Sequence, residues 1–162
     1  MIICEVDMMK KRFVVILLLL AFAFSLFPIR AFAIEQLTVS SEVIWLESGD
    51  SLTITISEST SRATGTKTGY AEYLYTGSDG VAKWKAVLSG NFTYTGATST
   101  CTASSCNVTI YDNSWYTVSK TVGKSGNTAT ATVTMGLKVL GVTVSKPTYN
   151  LTLTCDKDGN LS

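Results

Sequence analysis

The cysteines are the residues with the widest chemical range in this chain. There are four, with no histidine anywhere, and two of them lie five positions apart in TCTASSCNVTIYD, residues 100–112. The missing histidine excludes Ser-His-Asp and Cys-His catalysis, because neither nucleophile would have an imidazole to take its proton. Cys4 precedes a secretory signal and leaves with it, so Cys101, Cys106 and Cys155 stand in the mature chain. Three thiols without histidine leave a structural zinc site one ligand short. A C-x-x-C redox motif is also absent, since four residues separate Cys101 from Cys106. A disulfide in an oxidising compartment is the leading expectation. By strand parity all three side chains can face a core. Loop entropy favours Cys101 with Cys155, whose closure is worth roughly 4 kcal/mol against roughly 2 for the five-residue link. Cys106 is then a buried free thiol. A tight loop joining Cys101 to Cys106 is the competing geometry.

Carboxylates are the next candidates. Glu72, Asp79 and Asp112 are the acids nearest to aromatic strands. Asp79 and Asp112 stand in turn sequences, where backbone capping accounts for them, and Glu72 reads as a solvated strand residue. The DKDGN run at 156–160 resembles part of a calcium loop but lacks the further ligands and the glutamate that complete one. No catalytic residue, metal site or cofactor is expected. Exposed tyrosines can stack on sugars or anchor a protein, and Tyr73 and Tyr75 share one strand face without obvious apolar companions. They are the expected binding surface.

The elements that would position these residues begin after a leader. MKKRFVVILLLLAFAFSLFPIRAFA, residues 9–33, has a basic start, an apolar run from Phe13 to Phe27, and small residues at Ala31 and Ala33. This signal helix begins properly at Met8 or Met9, is too short to span a bilayer, and predicts cleavage between Ala33 and Ile34. The mature chain carries nine Lys and Arg against ten Asp and Glu, a balance that gives no electrostatic case for nucleic acid. It has no second apolar stretch of membrane length, so the expected destination is outside the cell.

From Trp84 to Tyr94 every even residue is apolar, aromatic or glycine and, Val87 apart, the odd ones are polar, which predicts a long strand bent near Ser89-Gly90. GYAEYLYTGSDGVAKW predicts a hairpin at residues 77–80. TATATVTM places Ala129, Ala131, Val133 and Met135 inward beneath a row of threonines. Further strands are predicted at 106–110, 115–122, 137–144 and 148–155, with Lys146-Pro147 as a kink. Residues 34–69 are less regular: short strands at 43–46 and 51–56, then a Ser/Thr/Gly-rich loop in SESTSRATGTKTG. Together 34–69 and 70–162 predict one all-β domain. The expected architecture is an antiparallel β-sandwich, immunoglobulin-like or related, with a small barrel as the alternative.

YTGSDGVAKWKAVLSGNFTYTGATSTC, IYDNSWYTVSK, MGLKVLGVTV and LTLTCDKDGNLS carry a further hint. Over residues 70–162 the chain resembles an uncharacterised family of short secreted β-rich proteins from Gram-positive, Clostridia-type bacteria. The shared W-K-x-x-L-x-G-x-F-x-Y-x-G-x-x-x-x-C pattern runs here from Trp84 to Cys101. The resemblance implies a secreted bacterial β-protein with Cys101 and Cys155 as its recurrent cysteines, and Cys106 stands where that pattern has an apolar residue. It implies no reaction. The expectation is a non-catalytic extracellular module binding a protein or carbohydrate. A toxin or bacteriocin-like effector and a carboxylate-dependent glycoside-active enzyme are the competing classes.

Overall fold

The computed structural model describes residues 36–59 and 65–162. The signal helix, its Ala33–Ile34 junction and Cys4 lie outside the described residues. Nine strands follow in chain order: β1 Gln36–Trp45, β2 Ser51–Ser59, β3 Thr66–Thr76, β4 Ala82–Tyr94, β5 Ser99–Ile110, β6 Trp115–Ser125, β7 Thr128–Val139, β8 Val142–Ser145 and β9 Thr148–Thr154. All pairings are antiparallel.

Strands β1 to β5 form one sheet in sequential order. In the second sheet β7 is central, with β6 on one side and β8 and β9 end to end on the other. Pro147 explains the break between those last two: it has no N–H to give to a ladder, yet its carbonyl accepts the Met135 N–H at 2.9 Å and carries the pairing across the kink. The second sheet is therefore only three strands wide. The two sheets do not close into a barrel; the first is a meander, and in the second β9 returns to pair with β7, so the order also differs from the Greek key of an immunoglobulin domain.

Period-two patterning builds the core. Trp84, Ala86, Leu88 and Phe92 of β4 are buried, as are Ala129, Ala131, Val133 and Met135 of β7 and Leu151 and Leu153 of β9. Gly90 belongs to this face because a Cβ there would lie 2.7 Å from the Phe92 ring and 3.1 Å from Ala129. The threonines of β7 face away and pair with β9, Thr134 with Thr148 at 2.9 Å and Thr132 with Asn150 at 3.0 Å.

Several expectations change. The strands predicted at 43–46 and 106–110 begin earlier, at Gln36 and Ser99. Residues 57–59 and 66–69 of the predicted loop continue β2 and β3. The predicted strand at 137–144 is two strands, because Leu140 and Gly141 both take positive φ, 50° and 80°, and make a two-residue hairpin loop. Leucine rarely adopts that conformation, so Gly141 is the turn's one compositional mark. Leu140 is fully exposed.

Candidate functional site

Tyr73 and Tyr75 do share a face, but it is the inner one. Register puts Tyr75 between Leu52 of β2 and Trp84 of β4, and Tyr73 between Ile54 and Ala86. Tyr75 is only 6% exposed and stacks on Trp84, with ring centroids 5.4 Å apart and planes 12° from parallel. Trp115 and Tyr149 complete the cluster. Tyr73 is half-buried and donates its hydroxyl to the Asn150 carbonyl at 3.3 Å. The expected binding surface is thus corrected: the apolar companions of Tyr75 come from β2 and β4, and its ring is a core element. Burial raises the pKa of Tyr73 and pushes that of Tyr149 up to about 12. Tyr75 is raised too, by burial and by its hydrogen bond to Asp50.

Asp50 pins the end of the molecule beside this cluster. Its carboxylate accepts the Tyr75 hydroxyl at 2.6 Å, the Ser48 hydroxyl at 2.7 Å and the Ser78 N–H at 2.8 Å. It thereby joins the β1–β2 and β3–β4 turns. These bonds favour the ionised form, the Tyr75 bond most, and lower its pKa.

The other acids are likewise held by cations and turns. Asp79 and Asp112 flank the Lys83 ammonium at 2.7 and 3.4 Å, and each caps its own turn by accepting the N–H of Val81 or Ser114. Both carboxyls have lowered pKa values, Asp79 chiefly through Lys83 and Asp112 chiefly through the Ser114 hydroxyl. A general acid needs the opposite shift. Glu72 lies on the outer face, 3.1 Å from Lys85. In the DKDGN turn Asp156 accepts N–H groups from Asp158, Asn160 and the Asn160 side chain, so the loop's own donors occupy its oxygens. A shallow polar depression near Lys67, Asn91 and Thr93 is similarly self-satisfied: Lys67 pairs with Glu58 at 2.6 Å, and Thr68 donates to Asn91 at 3.0 Å.

The three described cysteines are buried, and no sulfur–sulfur bond joins any two of them in this structure, the expected Cys101–Cys155 link included. Burial raises the pKa of each, which makes them poor nucleophiles in the folded protein.

The two flanks of the larger sheet differ in a way that bears on binding. At β5 the flank is sealed by β6, whose Lys120, Val122 and Lys124 share the inward parity of the β6–β7 register. Lys120 donates to the Cys106 carbonyl at 2.7 Å and Lys124 to the Thr102 carbonyl at 2.5 Å. At the opposite flank β9 lies over β3 and β4, and the inner face of β1 and β2 extends past it. Ile54 and Ile56 are half-buried there, while Ile44 is 39% and Leu37 56% exposed. On the outer face of β1, Val43 and Trp45 are 48% and 74% exposed. Val39, also exposed, sits at the bulge where the register shifts. Among the described residues β1 pairs on one side only. Sequence reasoning passed over Trp45. Its signal was available: with Val43 it falls on the parity of Thr53 and Ser51, a hydroxyl-bearing face.

No family model matches the chain, and neither the curated proteins nor the solved structures contain a match to it.

Proposed function

We propose that this chain is a secreted, non-catalytic β-sandwich module that binds an extended segment of an extracellular protein along β1. The observation that carries this reading is the apolar edge strand. β1 has an edge unpaired among the described residues and exposes apolar side chains on both faces, Leu37 and Ile44 on one, Val43 and Trp45 on the other. An added strand would gain ladder hydrogen bonds from the edge and specificity from alternate side chains. Such edges are a liability that proteins ordinarily blunt with charge, bulge or cover. Here the described strand carries one charged residue, Glu42, on the inner face between Ile44 and Ser40. The partner segment suited to this edge is extended, apolar and furnished with a Lys or Arg opposite Glu42. A carbohydrate would instead call for an aromatic platform, and most rings among the described residues are packed inward. The leader at residues 9–33 and the resemblance to short secreted proteins of Gram-positive bacteria support the extracellular setting.

The test is parallel binding of labelled protein to an array of extended ten-residue peptides and to an array of purified extracellular polysaccharides. The reading predicts saturable binding to apolar peptides bearing a basic residue, weakened at least tenfold by Val43→Asp with Ile44→Asp. Binding confined to polysaccharides, or to neither array, overturns it.

A further inference from the structure

We infer that Cys101 and Cys155 are the one cysteine pair that the fold places for a disulfide, joining the two sheets. β5 carries both Cys101 and Cys106, with a single bulge at Thr102 between them. At about 3.3 Å per residue their Cα atoms are roughly 16 Å apart, far beyond the ~7 Å limit for a disulfide. The short link is therefore excluded by the strand that contains both residues.

Cys155 is delivered to the Cys101 end by a single turn. The β6–β7 loop is Gly126-Asn127, between the paired residues Ser125 and Thr128. Cys101 N–H donates to the Gly126 carbonyl at 2.7 Å, and Cys155 N–H to the next carbonyl, Asn127, at 3.1 Å. The Asn127 side chain also donates to the Cys155 carbonyl at 2.8 Å. Adjacent peptide groups of one turn thus hold a residue of each sheet. Cys101 and Cys155 are 3% and 0% exposed. Cys106 lies opposite Leu88, further along β5 and out of reach of this end.

The bond forms by exchange with a small-molecule disulfide or a thiol–disulfide oxidoreductase. One cysteine thiolate attacks a sulfur of the oxidant and expels a thiolate; the other then attacks the mixed disulfide and expels the second. The two protons lost by the cysteines are taken up by the two expelled thiolates, so two electrons and two protons convert the oxidant to two thiols. Both sulfurs are buried once folded, so the exchange belongs to folding, before the Cys155 end docks.

The decisive experiment refolds the denatured protein in a mixture of oxidised and reduced glutathione, then alkylates it under denaturing conditions and maps the peptides. The expected product lacks the mass of two hydrogens, links the Cys101 and Cys155 peptides, and carries one alkyl group, on Cys106. Cys106→Ser should keep the link. Reduction should lower the Tm by about 10 °C or more, as closing a long loop implies. Three alkylated cysteines, a bridge containing Cys106, or an unchanged Tm after reduction would each overturn the inference.

Discussion

At β5 the larger sheet ends against β6, and Lys120 and Lys124 reach back to carbonyls of β5. At β1 the same sheet ends on Leu37, Val43, Ile44 and Trp45, all substantially exposed. One flank is finished by the chain itself, while the other presents the apolar area and the pairing edge that a neighbouring strand would use. The difference follows from strand count: five strands in one sheet face a second sheet three strands wide. Two facing sheets of unequal width must leave inner-face residues with partial cover, and here they fall at β1 and β2.

The comparison breaks first if the covered region does not dominate stability. Trp84 is fully buried against Tyr75, Trp115 and Tyr149. Trp84→Ala should cost about 3–5 kcal/mol in denaturant unfolding. Comparable losses from Trp45→Ala would mean that β1 is packed as firmly as β4. Next in size is Asp50→Ala, which leaves the Tyr75 hydroxyl and the Ser78 N–H without their shared acceptor; a loss on the order of 1 kcal/mol at neutral pH is expected.

Acid should reproduce part of that loss in the wild type. The folded pKa of Asp50 is depressed, so its contribution is complete above the ordinary carboxylate range and disappears as pH falls through the folded value. A Tm series below about pH 4 should decline less steeply for Asp50→Asn than for wild type. Alkali acts in the opposite sense on the aromatic cluster. Tyr73, Tyr75 and Tyr149 have raised folded values, so the stability linked to their neutral hydroxyls is intact below about pH 10 and fades as pH climbs through the folded values. Ultraviolet titration should show them ionising above the ordinary tyrosine range of about pH 10. The smallest effect is at the sealed flank. Lys120→Met removes a bond from a partly buried amine to Cys106 and should cost under about 1 kcal/mol.

Much of the covered region was readable before any coordinates, because period two survives wherever one face is buried and the other wet. The runs from Trp84 to Tyr94 and Thr128 to Met135 carry that alternation, and their inward residues are the buried ones. Tyr75 was misplaced for a reason that lies outside its own strand. Its partners, Leu52 and Trp84, follow from register, and β2 has threonines and serines on one face and half-covered isoleucines on the other, which blurs its contrast. The β7–β8 turn was passed over because Leu140 has none of the usual turn chemistry. The exposed edge was overlooked because Val43 and Trp45 look like core residues when β1 is read alone; their place on the outer face shows only against Thr53 and Ser51 of β2.

The most direct test of the account changes the open flank and reads binding and stability together. Val43→Asp with Ile44→Asp places charge on both faces of β1. The account predicts that unfolding free energy changes by no more than about 0.5 kcal/mol, as for surface sites, while affinity for an extended apolar peptide falls at least tenfold. Unchanged affinity, or a stability loss as large as that of Trp84→Ala, would contradict it.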